Sequence, residues 1–146
     1  MYPHRIRLRG PWECEPLARF VIGADGQKET MTTNLPAPCR MTMPGRWSER
    51  GLKDFSGRVR FRRHFGYPGR IDENERIWLT FAGIEGTTEV WLNGQFLGRH
   101  EQTMQPFESE VTELLDDRNE LRVEVEGEAT SGGLYGEVAM EIRLAK

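Results

Sequence analysis

The chain has 146 residues, of which 29% are charged and 37% apolar, with a formal net charge of −3. That is the size and make-up of one globular domain, 1–146, able to bury a core without metal or disulfide staples. The charge balance gives nucleic acid or an anionic membrane no footing, and no run of about 18 apolar residues is present to span a bilayer.

The opening Met1-Tyr2-Pro3-His4-Arg5-Ile6-Arg7 is basic, but no continuous apolar stretch follows it. No secretory leader is expected, and the expected location is cytoplasmic. Short runs bounded by glycine and proline then follow one another to the C-terminus, the mark of an all-β sandwich or barrel. Strands are expected at 5–9, 12–20, 38–43, 57–66, 75–83, 87–93, 95–99, 105–109, 119–127 and 136–144. The segment 22–37 is weakly patterned and reads as a long loop. Helix is confined to two short candidates, 48–54 and 111–115, the second with Thr112 or Ser109 as its cap.

Alternation assigns faces along several strands. Val59, Phe61 and Phe65 share one face, as do Ile77, Leu79 and Phe81. In Leu121-Arg122-Val123-Glu124-Val125-Glu126 the apolar residues take one side and the charges the solvent side. Between two apolar runs, Asn93-Gly94 is the strongest turn signal, because both central residues of a type I′ turn need positive φ. A two-residue turn there sets Leu92 against Gln95, Trp91 against Phe96 and Val90 against Leu97.

These pieces resemble a known family in order and spacing. They are Leu8-Arg9-Gly10-Pro11-Trp12-Glu13, Met43-Pro44-Gly45-Arg46-Trp47, the strand Gly57–Phe65, Leu79-Thr80-Phe81-Ala82-Gly83-Ile84, Glu89–Gly94, Leu97–His100, Pro106-Phe107, Asn119–Val125 and Gly132–Val138. Together they are similar to the N-terminal sugar-binding domain of family 2 glycoside hydrolases, the β-galactosidases and β-glucuronidases. The resemblance covers nearly the whole chain and implies a galactose-binding-domain-like jelly-roll β-sandwich. In that family the catalytic glutamates sit on a separate (β/α)₈ barrel, so it transfers no catalytic residue to this chain. An arginine common in the family near the last strand is replaced by Gly136.

Paired carboxylates serve glycosidases when about 5–5.5 Å apart with one pKa raised by burial. Asp116/Asp117, Glu108/Glu110, Asp72/Glu73/Glu75 and Glu124/Glu126/Glu128 read instead as turn or solvent-face residues, with arginine-rich strands as cross-strand partners. His4, His64 and His100 form no metal-ligand spacing, and no nucleophile elbow is present. No catalytic residue, metal or cofactor is therefore assigned; a structural calcium suits folds of this type, but the sequence selects no ligands for it. Cys14 and Cys39 match no zinc or redox motif and read as reduced thiols, with a disulfide as the minor alternative.

Arg63 falls on the apolar face by parity, which demands a carboxylate or several carbonyls, and it reads as structural together with Asn93 and Gly94. Trp91 and Phe96 lie side by side off the apolar parity. Three readings stay open for them: cover by another segment such as the N-terminal strands, a protein interface, or a stacking platform for a sugar ring. In the polar stretch 99–105, Arg99, His100, Glu101 and Gln105 are the ligand candidates, unless the stretch is an ordinary connection. Two functions follow: a non-catalytic carbohydrate-binding or accessory module of a glycosidase, or a structural or protein-interaction sandwich without sugar binding. The expected partners are a carbohydrate, a glycosidase chain or a second copy.

Overall fold

The computed structural model describes residues 4–49, 51–52, 54–84, 86–101, 106–128, 132–134 and 136–145. The strands among them are β1 (His4–Arg7), β2 (Pro11–Ile22), β3 (Lys28–Met31), β4 (Cys39–Thr42), β5 (Gly45–Arg46), β6 (Gly57–Gly66), β7 (Glu75–Phe81), β8 (Thr87–Leu92), β9 (Gln95–His100), β10 (Phe107–Glu110), β11 (Arg118–Gly127), β12 (Gly133–Leu134) and β13 (Val138–Leu144). One antiparallel sheet runs β1-β13-β7-β10, and a larger one runs β3-β2-β6-β11-β8-β9. The length of β2 lets it hold β4 along Pro11–Cys14 and β3 along Arg19–Ile22. β5 and β12 form a small ribbon.

Period-two patterning explains why the two sheets face each other. Ile77, Leu79, Phe81, Val138, Met140 and Ile142 project from the smaller sheet. Trp12, Val59, Phe61, Val90, Leu92, Leu121, Val123 and Val125 project from the larger one, and all fourteen belong to one buried apolar cluster. The fold is the all-β sandwich that the pattern implied, of the jelly-roll kind that the resemblance implied. Two buried tryptophans keep their polar handles satisfied: Trp12 Nε1 donates to Leu8 O and Trp47 Nε1 to Phe55 O, each at 2.8 Å. Trp47 needs a bare backbone beside it, since a Cβ on Gly132 would lie 2.1 Å from its ring. At Gly136, where the family pattern has arginine, a Cβ would meet Gly83 N at 2.3 Å. The backbones are too close there for any side chain.

The 22–37 segment is not all loop, because β3 pairs with the end of β2 through Arg19↔Met31 to Ile22↔Lys28. The helical candidates shrink to single 3-10 turns at Trp47–Glu49 and Thr112–Leu114. Val111 occupies the cap position of the second turn with no side-chain bond; the Thr112 hydroxyl accepts from Ile77 N at 2.8 Å instead. The Asn93-Gly94 turn has the expected positive φ values of 52° and 82°. Leu92↔Gln95 and Trp91↔Phe96 pair as read, but a register shift then sets Val90 against Gly98 instead of Leu97. No helix among the described residues is long and apolar enough to cross a membrane.

Candidate functional site: the outer face of the large sheet

Residues directly opposite on adjacent strands point to the same side, so the registers order the outer face into rows. One row crosses five strands beyond β4: Arg40 (β4), Glu13 (β2), Arg62 (β6), Arg122 (β11), Trp91 (β8) and Phe96 (β9). The neighbouring row reads Glu15, Arg60, Glu124, Glu89 and Arg99. Each row sets like charges opposite each other, Arg62 against Arg122 and Glu124 against Glu89, which is unfavourable unless something intervenes.

In the second row the conflict is resolved. Arg58 reaches across to bond both carboxylates, at 2.6 Å to Glu124 and 2.8 Å to Glu89, and Arg60 Nε donates to Glu124 at 3.1 Å. Glu124 is therefore not a solvent-face residue as read from its parity: only 7% of it is exposed. Burial pushes its carboxyl up, but hydrogen bonds from Arg58 and Arg60 outweigh this and hold it below the usual range. Burial likewise works against the Arg58 charge, yet Glu89 and Glu124 raise its pKa further.

In the first row the conflict is only half resolved. Arg62 lies 3.4 Å from Glu13. Arg122 stacks over Trp91 at 4.3 Å, with its Nε 3.7 Å from Glu124 and buried without a hydrogen bond among the described residues. Trp91 meets Phe96 on its other flank at 5.5 Å, tilted by 60°. Phe96 is 50% exposed. The cover over Trp91 thus comes from Arg122 of β11 and not from the N-terminal strands. Beside the row, an open concavity is lined by Glu13, Glu15, Arg40 and Arg62 together with Cys14, Pro38 and Cys39.

The other candidates are only partly brought together. The register shift in β9 turns Arg99 to the outer face, where it bonds Glu101 at 2.8 Å and lies 3.8 Å from Glu89. The bond from Arg99 holds the Glu101 carboxyl down. His100 pairs with buried Thr88, so it faces inward, edge-on to Phe107, with Nε2 buried and unbonded among the described residues. Gln105 lies outside the described residues. Arg63 sits on the inner parity opposite Leu121, and its guanidinium donates to the carbonyls of Arg9, at 2.9 Å, and His64. Carbonyls, and no carboxylate among the described residues, satisfy it. Asn93 does more than turn the chain: its amide donates to Leu114 O and Asn119 Oδ1, and its Oδ1 accepts from Glu120 N. Among the described residues no group of three His, Cys, Asp or Glu is placed to hold a metal. The role of Arg122 went unread because only the β8–β11 register, absent from the sequence, sets it against Trp91.

The family described as glycosyl hydrolase 2 galactose-binding domain-like matches residues 53–133, more than half of the chain. A beta-galactosidase large subunit from Latilactobacillus sakei is 29% identical over 84% of this chain and 17% of its own length. A beta-galactosidase from Clostridium acetobutylicum is 39% identical over 36% of this chain and 6% of its own. The chain therefore spans a small part of the relatives it matches. Among solved structures, a Bifidobacterium dentium beta-glucuronidase complexed with coumarin-3-O-glucuronide superposes with a TM-score of 0.76 at 22% identity, over 98% of this chain and 30% of that one. A Dictyoglomus thermophilum beta-D-glucuronidase gives 0.70 at 15% identity, over 98% and 28%.

Proposed function

The chain belongs to the glycosyl hydrolase 2 galactose-binding domain-like family, and from that premise we propose that residues 1–146 act as one non-catalytic, cytoplasmic sugar-binding module serving a family 2 glycosidase. The observation that carries this reading is the Phe96–Trp91–Arg122 cluster. The half-exposed Phe96 ring packs on Trp91, and the Arg122 guanidinium stacked on that indole makes no hydrogen bond among the described residues, so the cluster offers an apolar surface to the C–H face of a sugar and donors to its hydroxyls. The electrostatics argue against a proton-donor role for three carboxyls of the chain. A glycosidase proton donor has a raised pKa, whereas Glu101, Glu124 and Glu137 are all held low by arginine neighbours. The partner in this reading is a galactoside or glucuronide, with neither nucleic acid nor membrane involved.

The test is a titration of nitrogen-15-labelled protein with a methyl galactoside and with a glucuronide at millimolar concentration, following the indole N–H signals. The Trp91 signal is expected to move, and Phe96→Ala to abolish the movement. A Trp91 signal unmoved by either sugar overturns the reading.

A second reading is favoured by one region. Ile22 is 71% and Met31 40% exposed beside the edge strand β3, whose outer side pairs with no described strand. Exposed apolar residues on a free edge suit self-association or docking on a glycosidase chain. In that case sedimentation shows a concentration-dependent dimer, lost in Ile22→Lys, and no sugar response.

A further inference from the structure

Cys14 of β2 and Cys39 of β4 are direct register partners, ending the run Pro11↔Thr42, Trp12↔Met41, Glu13↔Arg40. Directly opposed residues in an antiparallel pair have Cα atoms about 4.5 or 5.5 Å apart, depending on the hydrogen-bonding class of the pair. Both values fall within the span of about 4.4–6.8 Å that a disulfide bridges. The pleat also points both side chains to the same side, and both thiols are free in the structure. Their exposures differ: Cys14 is 1% exposed, while Cys39 is half-buried, and both lie along the open concavity with Arg40 and Arg62.

We infer that Cys14 and Cys39 are a reversible modification site, a dithiol that a small-molecule disulfide oxidises to a cross-strand bridge between β2 and β4. Cys39 is the entry point. Its thiolate attacks one sulfur of the oxidant, forming a mixed disulfide and releasing one thiol. Cys14 then attacks the Cys39 sulfur, gives up its proton to water and expels the second thiol. Two protein thiols become one disulfide, and the oxidant is reduced to two thiols by the same two electrons. Burial, then the neighbouring Cys39, pushes the Cys14 thiol up. Cys14 is therefore a poor first nucleophile, which fits the order of steps. The bridge would tie β4 to β2 and fix the wall of the concavity that carries Arg40. This inference does not depend on sugar binding.

The folded protein is incubated with glutathione disulfide and examined by intact mass and peptide mapping. The wild type is expected to lose two hydrogens, yield a peptide cross-linked through Cys14 and Cys39, and retain no glutathione. Cys14→Ala should stop at a single glutathione adduct on Cys39, and Cys39→Ala should stay unmodified. Oxidation should raise the wild-type Tm by about 5–10 °C, since the bridge closes a loop in the unfolded chain. A wild type that stays fully reduced, or that accumulates glutathione on Cys39 without losing two hydrogens, overturns the inference. Neither of those results depends on a variant folding.

Discussion

Each sheet carries a tryptophan on its outer face with an arginine laid over it, and the two arrangements differ in how complete they are. On the smaller sheet, Arg143 lies 4.9 Å over Trp78 and donates to Glu141 at 2.7 Å and Glu108 at 2.8 Å, with 18% of its side chain exposed. Hydrogen bonding to Glu108 first, and to Glu141, drives its pKa above the ordinary arginine value. On the larger sheet, Arg122 lies closer to its indole, at 4.3 Å, but 33% of it is exposed and it makes no hydrogen bond among the described residues. The same two residue types thus form a closed structural cap in one place and an unfinished surface in the other. Register decides which. Trp78 stands between Glu110 and Glu141, while Trp91 stands between Arg122 and the exposed ring of Phe96. A guanidinium bound to two carboxylates holds the fold together, and one without a hydrogen bond among the described residues keeps donors that a hydroxylated ligand could use.

The largest expected effect lies where charge is most enclosed. Glu124→Gln leaves Arg58 and Arg60 without their shared carboxylate, though Arg58 keeps Glu89 and Glu126, and the expected loss is about 2–3 kcal/mol in urea unfolding, between the ~0–1 kcal/mol of an exposed pair and the ~3–5 kcal/mol of a fully buried one. The same residue sets a pH dependence. Its folded pKa lies below the ordinary 4.5, so the stability it contributes is full above that value and is lost as pH falls through the folded value. The stability gap between wild type and Glu124→Gln should therefore narrow steadily below about pH 4.5. A gap that stays constant down to pH 3 would mean that the carboxylate is not what Arg58 and Arg60 hold. Arg143→Ala ranks next, at about 1–2 kcal/mol, because it removes the cover over Trp78 and one partner each of Glu108, which is near solvent, and of Glu141, which keeps Arg5 at 3.6 Å. It should leave the sugar response at Trp91 intact. Loss of that response would erase the distinction between the two faces.

The sequence spoke most clearly where physics is local. β6 runs from Gly57 to Gly66 as expected, and the Asn93-Gly94 reversal and the inward residues of β7 and β11 follow from turn chemistry and alternation. β3 was missed because Lys28–Met31 is exposed along its whole length and carries no apolar alternation to detect. The Val90–Gly98 shift was missed because a bulge leaves the residue pattern unchanged while turning Arg99 outward and His100 inward. For the candidate site, the Trp91–Phe96 pair was legible from the turn. The row that supplies Arg122, Arg62 and Arg40 comes from strands far apart in the chain, and no local signal encodes their registers.

The smallest stability change is expected at Arg122, and there it is the more telling. Arg122→Ala removes a stacking contact with Trp91 worth about 0.5–1 kcal/mol at a partly exposed site. It also removes a like charge directly opposite Arg62, a relief of comparable size. The two nearly cancel, so urea unfolding should change by less than about 0.5 kcal/mol. Sugar affinity, read from the Trp91 indole signal, should fall about tenfold, the ~1.4 kcal/mol typical of a central contact. Stability and binding are thereby separated at one residue, as Arg143→Ala separates them in the opposite sense. An Arg122→Ala protein destabilised by more than about 1 kcal/mol would show a guanidinium as structurally committed as Arg143. The outer face of the large sheet would then be one more closed ion-pair surface with nothing left over for a ligand.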